Sequence, residues 1–354
     1  MKSSLNFLFY LGHPAHFHLF KNSIRSLKEK GHSVKILIKK KDVLESLLKE
    51  AGMEYTNIMI GERGDKKWQI ALSLLKRDWE MLKVVRTFKP DVTAGTSAEI
   101  THIGFLLNIP SLVVNEDDAD VVPLFCKLAY PLATNVLAPN CCRVGKWERK
   151  KIGYEGYHEL AYLHPDNFIP NPDIKEKYQL GDRYFIIRLA KLNAHHDEGR
   201  KGISKEVVIE LLKLLQPVGK VWITSERELE PEFEPFRIAF PPSEIHHVMA
   251  FADAYIGDSQ TMAAEAAVLG VPAVRFNDFI GEISYLDELE NKYQLGFGIR
   301  TKDETKLLEV VKQLIGSDYK KSWTDRRKEM LNDKIDLSVF IVELLQKMAL
   351  KIKI

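Results

Sequence analysis

Residues 254–276 (AYIGDSQTMAAEAAVLGVPAVRF) constrain the fold more than any other stretch of the chain. A short apolar run, 254–256, leads into the turn 257–259, and an alanine-rich segment then extends to Leu269. A glycine and a second apolar run, 273–276, follow. This order of apolar run, turn, helical segment, glycine stop and apolar run predicts a βαβ unit.

The start of the helix in this unit predicts an anion site. Asp258 or Ser259 can cap the helix, and the backbone N–H groups of Gln260, Thr261 and Met262 then face outward. The first N–H groups of a helix have no intrahelical acceptor and carry a partial positive charge. A phosphate-sized anion is therefore expected at this turn.

Glu265 is the one charged residue in an otherwise apolar helix. A buried carboxylate is costly unless a hydrogen-bond donor satisfies it, so either a neighbouring residue or a ligand hydroxyl must do so. We favour a ligand, because the anion site lies about one and a half turns earlier on the same helix. A sugar nucleotide fits both features, with its diphosphate at the helix start and its ribose at Glu265. An ordinary buried βαβ unit with a capped helix is the alternative.

The rest of the chain alternates apolar runs with helical patterns, beginning with the run 5–11. This alternation predicts an α/β fold with doubly wound parallel sheets. The proline-bearing stretch 155–182 reads as a linker, so we expect one domain over 1–160 and a second over 161–334. The second domain includes a predicted strand at 237–240.

Composition favours a globular cytoplasmic protein. The 354 residues are 45% hydrophobic and 28% charged, and three cysteines form neither a disulfide framework nor a zinc pattern. Residues 121–138 are the most membrane-like, but two prolines and a lysine favour a buried helix followed by a strand. Lys and Arg outnumber Asp and Glu in the first half, which suits either an anionic acceptor, an anionic membrane surface or a solvated basic surface.

Residues 258–272 (DSQTMAAEAAVLGVP) resemble the nucleotide-sugar signature of the GT-B superfamily, especially the DSGG-x-x-x-E segment of UDP-N-acetylglucosamine 2-epimerases. Most of the chain resembles an uncharacterised prokaryotic family classed beside those epimerases and GT-B glycosyltransferases. The resemblance implies two Rossmann-like domains facing a cleft, with the helix after about residue 335 packing back on the first. It assigns phosphate to Ser259 and Gln260 and ribose to Glu265, although Gln260 and Thr261 replace two glycines.

The loop after the first strand, 12–16, contains two histidines. The spacing from His16 to Gly31 is similar to that of the GGTGGH motif in peptidoglycan lipid-intermediate GlcNAc transferases, with the motif's other glycines absent apart from Gly12. This resemblance marks His16 as an acceptor-side base or a sugar contact, and His13 as a second candidate. Helix capping and a metal site that also uses His18 are the alternatives.

Two further strand ends in the first domain carry polar residues. Thr96 and Ser97 follow the fourth strand, and Asn115, Glu116 and Asp117 follow the fifth. True epimerases have a catalytic aspartate and glutamate at these places. The first position has no carboxylate here, which argues against epimerisation and suits sugar or acceptor binding. Glu116 or Asp117 fits the second position, and a favourably charged helix start is the alternative for the acidic cluster.

In the second half, Arg188 ends a strand and precedes a basic loop with Lys191, His195, His196, Arg200 and Lys201. These cations could neutralise a departing diphosphate. Ser225 follows another strand and is a candidate nucleotide contact.

The sequence therefore predicts a GT-B-type glycosyltransferase-like protein that uses a nucleoside-diphosphate sugar, with UDP favoured, for glycan or cell-surface polysaccharide synthesis. A 2-epimerase and a non-catalytic sugar-nucleotide-binding protein are the alternatives. We expect no metal or cofactor, no nucleic-acid partner, a sugar or lipid-linked acceptor, and at most peripheral membrane contact. The predicted catalytic residues are His16, His13 and Glu116; the nucleotide-sugar residues are Gly12, Arg188, Ser225, Asp258, Ser259, Gln260, Thr261 and Glu265; the sugar or acceptor residues are Thr96, Ser97, Asn115 and Asp117.

Overall fold

A computed structural model describes residues 4–39, 42–58, 67–190, 202–316 and 319–352. The chain divides into two compact units. The first unit comprises Met1–Asn167 and Ile335–Ile354, and the second comprises Phe168–Lys334. The division lies inside the proline-bearing stretch that the sequence marks as a linker.

The first unit contains a seven-stranded parallel sheet with the strand order β3-β2-β1-β4-β5-β6-β7. Its strands are β1 (Asn6–Leu11), β2 (Ser33–Ile38), β3 (Thr56–Asn57), β4 (Val92–Gly95), β5 (Ser111–Val114), β6 (Asn135–Pro139) and β7 (Lys151–Tyr154). The strand order reverses between β1 and β4, which makes this pair the topological switch point of the sheet.

The second unit contains a five-stranded parallel sheet with the strand order β12-β11-β10-β8-β9. Its strands are β8 (Tyr184–Leu189), β9 (Lys220–Ser225), β10 (Ala254–Gly257), β11 (Ala273–Phe276) and β12 (Gly296–Ile299). The reversal here lies between β8 and β10. Both sheets therefore confirm the predicted doubly wound architecture.

Helices connect the strands of both sheets. They are α1 (Pro14–Glu29), α2 (Asp42–Glu50), α3 (Lys67–Phe88), α4 (Glu99–Leu107), α5 (Pro123–Ala129), α6 (Leu160–Leu163), α7 (Ile174–Lys177), α8 (Lys205–Leu215), α9 (Ile245–Met249), α10 (Gln260–Leu269), α11 (Ser284–Asp287), α12 (Glu304–Gly316), α13 (Lys320–Asp333) and α14 (Leu337–Ala349). None of the helices in the described part of the chain is both long enough and apolar enough to cross a membrane.

The C-terminal helix α14 belongs to the first unit. It contacts α1 and α6, and the Ser23 hydroxyl donates a buried hydrogen bond to the Ser338 carbonyl at 3.0 Å. The helix expected after about residue 335 is α14.

The structure confirms a helix followed by a strand in residues 121–138, since α5 and β6 occupy them. The helix is not buried as expected, because Leu124 and Leu128 are exposed. The predicted strand at 237–240 is wrong. A short 3-10 helix, Pro231–Phe236, precedes it, and Arg237 makes only an isolated bridge to Ile223. Prolines at 235 and 241 flank this segment, and proline cannot donate to a sheet ladder.

Gly95 shows how closely β1 and β4 approach at the switch point of the first unit. A Cβ atom at this position would lie 2.7 Å from the backbone oxygen of Tyr10. Only glycine allows this approach without a shift of the backbone.

Candidate functional site

Asp258 holds together the backbone at the switch point of the second unit. Its side chain is buried, and its two oxygens accept hydrogen bonds from the N–H groups of Ala190 at 2.6 Å and Ile203 at 3.2 Å. Burial raises the pKa of this carboxyl, and the two amide hydrogen bonds oppose that shift. Asp258 therefore anchors the residues on either side of 191–201. The predicted basic loop, with Lys191, His195, His196, Arg200 and Lys201, lies outside the described residues.

Ser259, rather than Asp258, caps α10. It has extended backbone angles, and its hydroxyl accepts from the Met262 N–H at 3.5 Å. Gln260 and Thr261 follow in the first turn and are partly exposed. Their N–H groups precede the first possible intrahelical acceptor, so they point out of the start of α10. This arrangement suits an anion.

Tyr255 supports the turn between β10 and α10, and the sequence analysis did not single it out. A Cβ atom at Gly257 would lie 2.3 Å from the Tyr255 hydroxyl oxygen and 2.9 Å from Cβ of Arg188. The Tyr255 hydroxyl donates to the Ser259 carbonyl at 3.3 Å. Burial holds the pKa of Tyr255 well above its usual value, so the hydroxyl remains a donor. The sequence signal for Tyr255 was its position two residues before Gly257, a glycine in a strand.

Arg188 lies next to this turn, because its strand residue pairs with Gly257 on one side and Thr224 on the other. Its guanidinium forms an ion pair with Glu226 through Nη2. Its Nε is buried and has no hydrogen-bond partner among the described residues, and the same holds for the Thr224 hydroxyl. Two buried polar groups without partners in the described residues, beside a helix start that suits an anion, are consistent with a ligand-binding site.

Ser225, by contrast, is committed to a local turn. Its hydroxyl donates to the Arg227 carbonyl at 2.7 Å and accepts from the Arg227 N–H at 3.1 Å. The predicted nucleotide contact at Ser225 therefore requires that this turn open.

Glu265 is buried in α10, and one of its oxygens lies 2.9 Å from Nε2 of His246 in α9. The sequence analysis left two partners open, and the structure shows a protein partner for at least one carboxylate oxygen. The sequence alone assigns His246 no functional role. The available sequence signal for His246 was its place in a short apolar helix, α9, which packs on α10.

In the first unit, the predicted loop at 12–16 is shorter than expected. Helix α1 begins at Pro14, with His13 as its N-cap, so His16 lies in the first helical turn. Proline at the first helical position is pre-organised for a helix. The His13 Nδ1 accepts from the Ala15 N–H at 3.2 Å, which confirms the capping alternative for this residue.

His16 connects the ends of β1 and β4 at the switch point. Its Nδ1 accepts from the Gly12 N–H at 3.1 Å, and the Thr96 hydroxyl oxygen lies 2.7 Å from Nδ1 and 2.6 Å from Nε2. Because Nδ1 accepts from an amide, the neutral ring carries its proton on Nε2. The structure thus brings together Gly12, His16 and Thr96.

Glu116 lies farther along the same sheet edge and contacts His158. Its carboxylate accepts from the His158 N–H at 2.9 Å, and the second oxygen lies 3.2 Å from His158 Nδ1. Burial lowers the pKa of His158 to about 4, against the opposite effect of Glu159 and Asp117. His158 Nε2 is buried and has no hydrogen-bond partner in the described residues. The sequence analysis missed this histidine because it lies in the predicted linker.

Asn115 has a structural role in this turn, since its amide donates to the Asp117 carbonyl at 2.8 Å and to the Tyr130 hydroxyl at 2.9 Å. The Ser97 hydroxyl is buried with no hydrogen-bond partner among the described residues. The alternative that the acidic cluster begins a helix is wrong, because α5 begins at Pro123. In the part of the chain that the structure describes, no group of three or more His, Cys, Asp or Glu side chains is arranged to hold a metal ion.

Comparisons with known proteins agree with this architecture. A model of the family described as "Protein of unknown function (DUF354)" matches residues 5–347. The uncharacterised protein MJ0665 of Methanocaldococcus jannaschii is 24% identical over 321 residues, covering 86% of this chain and 90% of that protein.

Two solved structures share the fold over nearly the full chain. The UDP-GlcNAc 2-epimerase from Neisseria meningitidis, bound to UDP-GlcNAc, gives a TM-score of 0.66 at 14% identity, covering 98% of this chain and 100% of that chain. The spinosyn forosaminyltransferase SpnP gives a TM-score of 0.67 at 14% identity, with the same coverage. The fold is therefore the GT-B-like fold shared by such epimerases and glycosyltransferases.

Proposed function

The chain belongs to the DUF354 family, and we propose that it binds a nucleoside-diphosphate sugar on its second unit and transfers the sugar to a hydroxyl acceptor. One observation carries the proposal: a capped helix start, at α10, stands at the switch point between β8 and β10. In open parallel sheets, ligands bind beyond the carboxyl ends of the strands at such a point.

The diphosphate would lie at the start of α10. The outward N–H groups of Gln260 and Thr261 can donate to its oxygens, and the helix end favours negative charge. Arg188 is close enough to the same turn to join them by exchanging Glu226 for a phosphate. A guanidinium grips phosphate in a bidentate way, which stabilises the diphosphate as it leaves the sugar.

The ribose would lie near Glu265, about one and a half turns along α10. A carboxylate accepts hydrogen bonds from ribose hydroxyls, and the contact with His246 holds it in place. We propose UDP as the nucleotide, on the resemblance of residues 258–272 to the epimerase signature. We propose that the protein is a glycosyltransferase that serves glycan or cell-surface polysaccharide synthesis.

The acceptor side would be the edge of the first unit where Gly12, His16 and Thr96 meet. The Thr96 hydroxyl can orient a sugar hydroxyl, and the imidazole of His16 can take a proton from it. Because Nδ1 of His16 accepts from Gly12, this proton transfer requires the ring to leave one of its two contacts. His13 is exposed at the same edge and can contact the acceptor.

Epimerisation at C2 of UDP-GlcNAc is the second candidate. The Glu116–His158 contact favours it, because it places two titratable groups on one sheet edge. The absence of a carboxylate at Thr96 and Ser97 argues against it, since removal and return of a carbon-bound proton needs a positioned acid and base.

The first experiment is a thermal-shift titration of the full chain with UDP, GDP, CMP and TDP and with the corresponding nucleotide sugars. A nucleotide at about 100 times its dissociation constant stabilises a fold by about 2.7 kcal/mol. We expect UDP to give the largest shift and Ser259→Ala combined with Arg188→Met to abolish it. No stabilisation by any nucleotide would contradict the proposal.

The second experiment separates the two reactions. The protein is incubated with UDP-GlcNAc in D₂O, with and without EDTA, and followed by NMR. Transfer, or slow transfer to water, releases UDP, whereas C2 epimerisation places deuterium at C2 and forms the manno epimer. We expect UDP release that persists in EDTA, and no deuterium at C2. Deuterium incorporation would establish the second candidate instead.

A further inference from the structure

Large apolar side chains are exposed on three neighbouring helices of the first unit. Their exposed fractions run from 39% at Leu128 to 69% at Phe105. We call this set the apolar patch; it consists of Leu75 and Trp79 on α3, Phe105 and Leu106 on α4, and Leu124 and Leu128 on α5. Clusters of exposed apolar residues mark interaction surfaces, whereas single ones are ordinary.

His102 shows that the patch is continuous across the three helices. Its Nδ1 lies 2.9 Å from the Asp78 carboxylate on α3, and its Nε2 lies 3.2 Å from the Leu128 carbonyl on α5. Leu75 lies one turn before Asp78 on α3, and Phe105 lies one turn after His102 on α4. The outward faces of α3, α4 and α5 therefore meet around the ring of His102.

The charges around the patch are mostly positive. Glu80 is partly exposed and is paired with Lys83 at 2.8 Å, and Lys83 Nζ also lies 5.9 Å from the centre of the Trp79 ring. Among the described side chains of the same helices, the exposed cations are Lys76, Lys83, Arg86 and Lys127. An apolar surface with Trp and Leu, rimmed by lysines, is typical of segments that lie in the interface of an anionic bilayer.

We propose that the apolar patch docks the first unit on the surface of an anionic lipid bilayer. Its long apolar side chains would enter the headgroup region, and the rim cations would contact lipid phosphates. A second copy of the chain fits less well, because a two-fold contact of the patch with itself would bring like charges together. This inference does not depend on the nucleotide-sugar proposal, although a docked enzyme could reach an acceptor carried by lipid.

The test uses the full chain and vesicles of phosphatidylcholine alone or mixed with phosphatidylglycerol, with binding followed by co-flotation. We expect binding to the mixed vesicles only, with a blue shift of the Trp79 fluorescence that Trp79→Phe removes. The double variant Phe105→Ser and Leu128→Ser should lose binding. The matched control is Ile169→Ser in the second unit, where an apolar side chain is 82% exposed far along the chain from the patch.

The rim is tested separately with Lys76→Gln and Lys127→Gln. Each neutralised lysine should lower partitioning into the mixed vesicles about fivefold, which corresponds to about 1 kcal/mol per charge near the surface. Thermal melts show whether each variant is folded, and light scattering gives its oligomeric state.

Two results would overturn the inference. The first is wild-type binding that is absent, or that the patch variant and Ile169→Ser lose equally. The second is a change from dimer to monomer in the patch variant without vesicle binding, which would assign the patch to a second copy.

Discussion

Replacing Glu265 with glutamine tests whether this buried carboxylate holds a ligand or only the fold. The side chain keeps its size, so no cavity forms, and its carbonyl oxygen can still accept from Nε2 of His246. A hydrogen bond to a charged group contributes about 1.5–3 kcal/mol and a neutral one about 0.5–1.5 kcal/mol, so the loss to folding is about 1 kcal/mol. For a unit of this size, that lowers the melting temperature by about 2–4 °C.

The effect on ligand binding should be as large. If Glu265 accepts from a ribose hydroxyl, the same loss of charge removes about 1 kcal/mol of binding, which weakens UDP binding about fivefold. Calorimetric titration with UDP measures this directly. Titration with 2′-deoxy-UDP and 3′-deoxy-UDP completes a double-mutant cycle. Glu265→Gln should bind the analogue that lacks the contacted hydroxyl as tightly as it binds UDP.

Glu290→Gln is the matched control. Glu290 is a partly buried glutamate of the second unit, and it accepts two hydrogen bonds from Arg275, at 2.8 and 3.1 Å. Its variant should be less stable but bind UDP as tightly as the wild type. Unchanged UDP affinity in Glu265→Gln, together with the expected fall in melting temperature, would refute the ribose role and leave Glu265 as a structural partner of His246.

Two further predictions concern the first unit. Gly95→Ala should destabilise it by about 1–3 kcal/mol in urea unfolding, because the new Cβ meets the Tyr10 carbonyl at 2.7 Å. The control is Gly316→Ala, where a Cβ meets nothing within 4 Å. Equal losses of stability in the two variants would contradict the steric argument. The hydrogen bond to Asp78 raises the pKa of His102, so its stabilising effect is present below about pH 6.5 and is lost as pH rises through the folded-state pKa. The melting temperatures of wild type and His102→Gln should therefore converge at alkaline pH, and a constant difference would exclude this linkage.

The sequence predicted the architecture well because strand and helix signals were strong and regular. Residues 254–276 fold as β10, α10 and β11, with Ser259 as the cap and Gly270 in the left-handed conformation that ends the helix. The strand prediction failed at 237–240, where an apolar pattern favours a strand but prolines at 235 and 241 disfavour one. The start of α1 was also marked locally, because Pro14 suits the first position of a helix. The sequence analysis followed the histidines instead and placed 12–16 in a loop.

The candidate sites were harder to predict, because their contacts join residues far apart in the chain. His246 and Glu265 meet only through the packing of α9 on α10. His158 meets Glu116 across 42 positions, and the Thr96 hydroxyl meets His16 across 80. Spacing along a chain identifies which residues share an element, but it does not show which side chains from different elements touch.

The structure also shows that a polar residue at a strand end is not thereby a ligand contact. Asp258 and Asn115 follow parallel strands, but both are occupied within their own unit. The Asp258 carboxylate accepts from two backbone N–H groups, and the Asn115 amide donates to a backbone carbonyl and to the Tyr130 hydroxyl. Such residues shape the loop, and the groups left for a ligand are backbone amides and the side chains that the loop holds in place. In the second unit these are the amides of Gln260 and Thr261 together with Arg188, and groups of this kind suit an anion. Binding should therefore depend strongly on the diphosphate and only weakly on Asp258 itself, whose replacement acts through the position of the loop.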